Sequence, residues 1–213
     1  MLDPYDSLRT HVNVSRETFE RLEKFHALLE KWNDKINLVG KSTIINIWER
    51  HIIDSAQLIN HIPSSARSLT DFGSGAGFPG IVLSLLGMAE VHLVESDSRK
   101  AAFLVEASRL SAGKVHIHNE RIEALTPWKS DVITARALAP LPWLIKLCHP
   151  FLQEGTTGLF LKGAHAQQEL DSAKIHWDID AQLHRSVTNT EAWIIQINTL
   201  TRKQGAYATE SSL

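Results

Sequence analysis

The chain has little of the features that mark secreted and membrane proteins. Its 213 residues include one cysteine, Cys148, so no disulfide can form within the chain, as is usual in a reducing compartment. No apolar run approaches the length of a membrane span, and the N-terminal residues lack the basic segment and apolar core of a secretion signal. We therefore expect a cytoplasmic protein that makes no contact with a membrane.

An excess of positive charge is also lacking. Lys and Arg number 22 against 24 Asp and Glu, which gives a formal net charge of −2 at pH 7. The electrostatics of the whole molecule therefore cannot hold a polyanion, and a nucleic-acid substrate would have to meet a local basic patch. Hydrophobic residues make up 43% and charged residues 22%, as in an ordinary globular protein with one large core.

The first third of the chain has the apolar spacing of helices. One amphipathic helix is predicted to begin near Ser15, a suitable N-cap, and a second to run from about Ile44 to Asn60. We predict a helical extension over residues 1–65 that packs on a core. Its apolar positions step by three or four in the first helix (Phe19, Leu22, Phe25, Leu29, Trp32, Ile36) and recur similarly in the second (Ile45, Trp48, Ile52, Ile59).

From residue 66 to residue 203, strand and helix patterns alternate, and the polar tail 204–213 is predicted to be disordered. Alternation of this kind indicates an α/β fold with a parallel sheet. The last two strands have no helix between them and predict an antiparallel hairpin at the edge of a seven-stranded sheet. The predicted strands are 67–71, 90–95, 114–118, 131–135, 157–161, 177–186 and 191–202, and the predicted helices are 79–87, 98–111, 140–149 and 164–174.

The most informative segment is Leu69 to Gly80, in which an apolar run ends in Asp71 and alternating glycines follow. Glycine removes the Cβ atom where a chain must turn tightly or a ligand must approach the backbone. Pro79 suits the first turn of a helix. The second apolar run ends in Glu95, and an acid at the tip of this strand commonly binds ribose hydroxyls. The pattern predicts a nucleoside-binding site with Gly73, Gly75 and Gly77 in its loop.

Two cofactors fit this pattern. Residues 75–80 satisfy the G-x-G-x-x-G fingerprint of dinucleotide sites, in which the loop carries a pyrophosphate. Asp71 would repel a pyrophosphate but would favour an ammonium group or a bound water. S-adenosylmethionine has an ammonium, a sulfonium and a ribose and lacks phosphate. The sequence therefore favours a class I, Rossmann-like methyltransferase over a dehydrogenase.

Six sequence blocks, in order, resemble the bacterial small-subunit ribosomal RNA methyltransferase G family, once called glucose-inhibited division protein B. The resemblance covers roughly residues 15 to 203, and the Gly-Phe-Pro-Gly and Arg-His-x-x-Asp-Ser blocks are its most specific parts. The blocks are Trp32-Asn33-x-x-Ile36-Asn37-Leu38-Val39, Arg50-His51-Ile52-Ile53-Asp54-Ser55, Asp71 to Gly80, Arg99-Lys100-x-x-Phe103-Leu104, Ala135-Arg136-Ala137 and Leu161-Lys162-Gly163.

The resemblance implies transfer of a methyl group from S-adenosylmethionine to N7 of a guanosine in 16S rRNA, near the decoding centre. Separately, the net charge of −2 predicts a substrate within a small-subunit particle or assembly intermediate, and we expect a monomeric enzyme. The cofactor contacts that the resemblance implies fall on Gly73, Phe78, Ile122, Glu123 and Arg136. Phe78 could cover the cofactor or pack beneath the helix, and Glu123 could be a solvated loop charge.

The residues also bear on which atom is methylated. The fourth strand ends in Thr134-Ala135-Arg136-Ala137-Leu138, which lacks the Asn/Asp-Pro-Pro-aromatic acceptor of amine methyltransferases. Carbon methylation of pyrimidines needs a thiolate, and Cys148 is interpreted as a packed residue late in a helix. A guanine N7 has no proton to lose, so no general base is expected, and the enzyme has to align N7 with the methyl group.

Arg136 is the candidate catalytic residue, acting by positioning, and could bind the cofactor carboxylate or guanine O6. Arg50, His51 and Lys162 are the candidate RNA contacts. Arg50 and Asp54 stand at i, i+4, so this block could instead serve only to dock the extension.

No metal site is predicted. His116 and His118 would share one face of a strand, but no third ligand has suitable spacing and the strand is expected to be interior. Two further functions remain open from the residues. One is methylation of a small molecule or another RNA, and the other is nucleotide binding or NAD-dependent oxidation without methyl transfer.

Overall fold

A computed structural model describes residues 3–203, so the predicted disordered tail lies outside the described residues. The extension begins with α1 (Pro4–Arg9), which the sequence did not predict, and α2 (Arg16–Asn33). Ser15 caps α2 as predicted, because its hydroxyl accepts a hydrogen bond from the Thr18 N–H at 3.1 Å.

The second predicted helix, Ile44 to Asn60, is wrong as a single regular helix. The segment is divided into α3 (Lys41–Ile44), a π-helical turn (Trp48–Ile53), α4 (Asp54–Ala56) and a 3-10 turn (Gln57–His61). Changes of helical pitch alter which side chains share a face. Ile45, expected on the apolar face, is consequently 83% exposed, whereas Ile52 is buried.

The seven predicted strands and four predicted core helices are all present. The strand bounds differ from the predicted ones by at most two residues, and the helices are a few residues shorter. The strands are β1 (Ser68–Phe72), β2 (Glu90–Val94), β3 (Lys114–His118), β4 (Val132–Arg136), β5 (Thr157–Lys162), β6 (Trp177–Arg185) and β7 (Trp193–Arg202). The helices are α5 (Gly80–Leu85), α6 (Ser98–Ser108), α7 (Leu141–Cys148) and α8 (Ala166–Lys174).

The strands form one sheet in the order β3-β2-β1-β4-β5-β7-β6. Strands β1 to β5 pair in parallel, and β7 runs antiparallel to both β5 and β6, which confirms the predicted edge hairpin. Strands β2 and β3 extend the sheet on one side of β1, whereas β4 and the later strands extend it on the other side. In open α/β sheets, ligands bind beyond the carboxyl ends of the strands at such a switch point. The β3 strand lies at an edge, so the expectation that His116 and His118 belong to an interior strand was wrong.

The sheet is covered on both faces. One face packs on a cluster that contains α2, α5 and α6, where the Phe25 ring lies 5.5 Å from Phe78 and 6.2 Å from Phe103. The other face packs on α7 and α8. The extension and the core thus share one apolar cluster, so the sheet is shielded by residues that precede it in sequence. Within residues 3–203, no helix has the length and apolarity to cross a membrane.

Candidate active site

The loop after β1 is shaped by glycines and by Glu95. Gly73, Gly75 and Gly77 all have positive φ, at 69°, 54° and 85°, a backbone region that other residues avoid. The Gly75 N–H donates to Glu95 Oε2 at 2.9 Å, and the Asp97 N–H donates to Glu95 Oε1 at 2.7 Å. Glu95 therefore joins the end of β2 to the glycine loop, and each of its oxygens retains a lone pair for a ligand.

Asp71 supports this loop from within. Its side chain is fully buried, Oδ1 accepts from the Thr134 hydroxyl at 2.8 Å, and Oδ2 accepts from the Gly80 N–H at 3.2 Å. Burial raises the pKa of Asp71 to about 6, against the opposing effect of these hydrogen bonds. A Cβ on Gly80 would collide with Leu93 and Asp71, so this glycine allows the helix to approach the sheet.

A cavity of about 410 Å³ opens beside the loop, and we call it the glycine-loop cavity. It has Gly73, Gly75 and Glu95 on one side and Ile122 and Glu123 on a 3-10 turn. Ile122 is buried whereas Glu123 is exposed. Five of the predicted cofactor residues therefore meet at one cavity.

A larger cavity of about 1130 Å³, here called the arginine cavity, lies next to the first. It brings together the three predicted RNA contacts, Arg50, His51 and Lys162, with the candidate catalytic residue Arg136. The two cavities share the segment 137–139, which follows β4. Residues from the extension and from the core thus line the same opening.

Arg136 connects the core to the Arg50-His51-x-x-Asp54 block. Its Nη1 donates to the Arg50 carbonyl at 3.2 Å and to His51 Nδ1 at 2.8 Å, and lies 3.5 Å from Asp54 Oδ2. The partner of Asp54 is thus Arg136, rather than the Arg50 expected from helical spacing. The side chains of Arg136 and Asp54 are only 18% and 15% exposed, so the pair is largely withdrawn from water.

His51 is held neutral and in one tautomer. Burial, together with the neighbouring positive charges of Arg136 and Arg50, lowers its pKa to about 4. Because Arg136 donates to Nδ1, the ring proton is on Nε2, which is buried and has no hydrogen-bond partner among the residues described. His51 stacks on Phe78 with ring centroids 5.1 Å apart.

Phe78 itself is a core residue. Its ring is 3% exposed, between Phe25 and His51, with the Arg136 guanidinium 5.0 Å from the ring centroid. Phe78, Gly77 and Asp71 do not line either of the two cavities, so their predicted contacts with a cofactor remain predictions. The structure favours the packing alternative for the Phe78 ring.

Lys162 is also engaged within the protein. Its ammonium lies 2.9 Å from Glu169 Oε2 and donates to the Ala139 carbonyl, and its side chain is 9% exposed. Glu169 also accepts from the Leu141 N–H at 2.6 Å. Lys162 therefore fixes the segment between the two cavities, and its predicted contact with RNA remains untested.

The β6–β7 loop is a part of the site that the sequence did not indicate. The Thr188 hydroxyl donates to Asp54 Oδ1 at 3.0 Å, and Gln57 bridges to the Ser186 hydroxyl and the Val187 N–H. These contacts join residues that are about 130 positions apart. No spacing within the extension or the hairpin could have revealed them.

The glycine-loop cavity fits S-adenosylmethionine better than a dinucleotide. In a dinucleotide site the loop N–H groups face a pyrophosphate, whereas here the Gly75 N–H is donated to a carboxylate. Glu95 can accept from ribose hydroxyls, and Ile122 and Leu138 supply apolar walls for a base. Three glutamates and two cations line this cavity (Glu95, Glu120, Glu123, Lys100 and Arg121), which disfavours a phosphate-bearing ligand.

Comparisons with known proteins agree with this assignment. A family profile described as rRNA small subunit methyltransferase G matches residues 18–197. The chain is 47% identical over 197 residues to the ribosomal RNA small subunit methyltransferase G of Rhodospirillum rubrum, covering 92% of this chain and 98% of that one. It is 48% identical over 189 residues to the protein of the same name from Gluconobacter oxydans, covering 89% and 97%.

The fold is also found in distant structures. A ribosomal protein L11 methylase from Lactobacillus delbrueckii subsp. bulgaricus superposes with a TM-score of 0.57 at 20% identity, covering 72% of this chain and 79% of that one. At this identity the likeness concerns the fold alone, and it shows a Rossmann-like methyltransferase architecture. With the profile match and the curated relatives, the conclusion is that this chain belongs to the rRNA small subunit methyltransferase G family.

Proposed function

We propose that the chain methylates N7 of a guanosine in 16S rRNA, near the decoding centre of the small subunit, with S-adenosylmethionine as methyl donor. Family membership makes it an S-adenosylmethionine-dependent methyltransferase of small-subunit ribosomal RNA. The single observation that carries the assignment of the site is the adjacency of the two cavities, which share residues 137–139. One has the features of a nucleoside site, and the other is large enough to admit a base.

Four residues of the glycine-loop cavity have separate roles in the proposed binding of S-adenosylmethionine. Glu95 accepts from the ribose hydroxyls, Gly73 and Gly75 leave room at the backbone, and Ile122 contacts the adenine. S-adenosylmethionine, when bound, supplies an electrophilic methyl group on a sulfonium. Asp71 acts indirectly, since its hydrogen bonds to Gly80 and Thr134 hold the loop in place.

The arginine cavity suits a nucleophile that needs no deprotonation. The two carboxylates that line it are both engaged, Asp54 by Arg136 and Thr188, and Glu169 by Lys162. His51 is a weak base, because its pKa is about 4 and its Nδ1 already accepts from Arg136. The residues of the described part of the chain thus provide no free general base at this cavity, as expected for methylation at N7.

Donors on the wall of the arginine cavity match the same edge of guanine. Guanine presents N7 and O6 as acceptors on one edge. Arg136 can donate to O6, which would leave the N7 lone pair directed at the methyl group. Its role is to position the base and to place charge, and for this reason we keep Arg136 as the catalytic residue of the proposal.

A net charge of −2 favours a structured particle over loose RNA, because shape has to supply the affinity that bulk charge does not. We therefore propose a small-subunit particle or an assembly intermediate as the substrate. We also propose that the enzyme is a monomer and that it acts in the cytoplasm, where ribosomes are found.

The test uses small-subunit particles from a strain that lacks the enzyme. Incubation with the chain and S-adenosylmethionine should make one guanosine sensitive to borohydride followed by aniline, because N7 methylation leaves a cationic ring. The single-turnover rate should be nearly flat from about pH 6.5 to 8.5, since no base titrates in the reaction. Naked 16S rRNA should react more slowly than particles.

The matched variants are Arg136→Ala and Arg109→Ala, the latter removing an exposed arginine that pairs with Glu106. Arg136→Ala should lower the rate and keep the flat profile, whereas Arg109→Ala should change neither. A product that resists the cleavage, together with a rate that rises tenfold per pH unit, would overturn the N7 assignment. Tighter binding of NAD than of S-adenosylhomocysteine in calorimetry would overturn methyl transfer itself.

A further inference from the structure

A cluster of three histidines and a glutamate lies on β2 and β3, and none of its four residues lines either cavity. Strand pairing places His92 opposite His116 and Glu90 two residues before His92, so these side chains share one face of the sheet. The sequence had indicated only the His116-x-His118 pair, since the third and fourth groups come from a strand more than 20 residues earlier.

The candidate ligand atoms converge. His116 Nε2 lies 3.1 Å from Glu90 Oε1, His92 Nε2 lies 3.9 Å from the same oxygen, and the three ligand atoms are all within 4.8 Å of one another. A tetrahedral zinc ion with ligands at about 2.0–2.1 Å separates its ligand atoms by about 3.3 Å. Small side-chain rotations would therefore bring all three atoms into contact with one ion.

The fourth residue, His118, orients one of these ligands. Its Nε2 lies 3.0 Å from His92 Nδ1, and its ring stacks on Trp128 with centroids 4.6 Å apart. If Nδ1 of His92 donates this hydrogen bond, the lone pair of His92 is on Nε2, on the side of Glu90. Histidines that bind metals commonly donate their other ring N–H in this way.

The accessibility of the cluster suits exchange of an ion with solvent. The side chains of Glu90 and His116 are 42% and 45% exposed, whereas His92 is 19% exposed. Water can complete the coordination. Two imidazole nitrogens with one carboxylate oxygen form a donor set that binds zinc in preference to magnesium. We propose that Glu90, His92 and His116 bind one zinc ion at the sheet edge and that His118 positions His92.

Calorimetric titration of the tag-free, chelator-treated chain with zinc chloride tests this site directly. We expect one equivalent to bind with a Kd of about 10 µM or lower, reversed by chelator, and magnesium chloride to produce no saturable heat. His116→Ala and Glu90→Gln should each weaken zinc binding at least tenfold. His26→Ala is the matched control, because His26 and Glu30 form a separate helical pair 3.5 Å apart, and it should leave the affinity unchanged.

A spectroscopic measurement separates coordination from loose surface binding. Cobalt(II) at the site should show the visible bands of four-coordinate geometry, and His92→Ala should abolish them. His118→Ala should weaken zinc binding about tenfold, and His118→Gln, whose amide oxygen can accept from His92, should restore most of it. Binding of S-adenosylhomocysteine checks that each variant is folded.

Absence of saturable zinc binding by the wild-type chain would overturn the site, as would equal affinity in the wild type and His116→Ala. Neither result would depend on the methyltransferase proposal, since the cluster is outside both cavities.

Discussion

Arg136 Nη1 lies 2.8 Å from Nδ1 of His51, although the two residues are 85 positions apart in the chain. The contact places a guanidinium at the end of β4 against the extension, and the same nitrogen lies 3.5 Å from Asp54. Because this arrangement is largely buried, it both docks the extension and lines the arginine cavity. The contribution of this contact to the stability of the fold and its proposed role in the reaction can be tested separately.

Removing either partner of the Arg136–Asp54 pair should destabilise the fold, since the remaining charge stays buried. Asp54→Ala should lower the free energy of unfolding by about 1.5–3 kcal/mol in urea titration. The double variant Asp54→Ala/Arg136→Ala should lose less free energy of unfolding than the sum of the losses in the two single variants. Arg109→Ala, which breaks an exposed pair with Glu106, should cost less than about 1 kcal/mol. Strict additivity of Asp54→Ala and Arg136→Ala would contradict the coupling.

Glu95→Ala should weaken binding of S-adenosylmethionine and S-adenosylhomocysteine alike, by at least tenfold in calorimetry. The change removes the proposed ribose acceptor and leaves the Gly75 N–H without its present partner. Charged hydrogen bonds contribute roughly 1.5–3 kcal/mol each, and tenfold corresponds to about 1.4 kcal/mol. Glu106→Ala provides the control of an exposed carboxylate. Loss of affinity for only one of the two ligands would place Glu95 near the sulfur instead.

Gly75→Val should reduce cofactor affinity at least tenfold while the chain remains folded. A Cβ at Gly75 would have the Gly73 carbonyl oxygen at 3.7 Å as its nearest contact, so the protein has room for it and the cavity receives the side chain. Gly155→Val is a suitable control, because Gly155 also has positive φ (83°) and a Cβ there would meet no atom within 4 Å. Both variants carry backbone strain of about 1–2 kcal/mol. Normal binding by Gly75→Val would contradict the loop assignment.

The stability of the chain should fall as the pH drops from 6.5 towards 4, partly because of His51. The folded chain holds the pKa of His51 at about 4, below its usual 6.5, so the unfolded chain binds this proton more readily. The contribution of neutral His51 is full above pH 6.5 and is lost as the pH falls through this window. His92, whose burial also lowers its pKa to about 4, adds a similar effect.

His51→Gln should flatten this part of the curve of unfolding free energy against pH, and the exposed His165→Gln should not. Asp71 acts in the opposite direction, since its pKa of about 6 favours the folded state at low pH and this contribution disappears as the pH rises through 6. The contribution of Asp71 is the same in each variant and in the wild type, so it cancels when their curves are compared. A curve for His51→Gln that parallels the wild type would show that His51 titrates normally.

Cys148 should be chemically inert in the folded chain. It is fully buried, and burial raises the pKa of its thiol well above the usual range. We expect iodoacetamide to modify it only in denaturant, as followed by mass spectrometry, and Cys148→Ala to retain methylation activity. Loss of activity in a folded Cys148→Ala variant would revive the thiolate mechanism that methylation at N7 does not need.

The fold class, the order of the strands along the chain and the position of the glycine loop after β1 could all be predicted from the amino-acid sequence. These follow from local signals, namely apolar periodicity, the glycines that permit positive φ, and Glu95 at the end of a strand. Local signals are read within a few residues, so the bounds of β1 to β7 could be predicted closely. The Ser15 cap of α2 was predicted for the same reason.

Tertiary structure alone decided which side chains meet. Helical spacing paired Asp54 with Arg50, but a π-helical turn and the approach of β4 give it Arg136 as a partner. Strand pairing, which no single strand encodes, placed Glu90 and His92 beside His116. Contacts between distant segments depend on how layers pack, and the burial that results shifts the pKa values of His51 and Asp71. The glycine loop could therefore be predicted from the amino-acid sequence, whereas the arginine cavity and the histidine cluster exist only in the folded molecule.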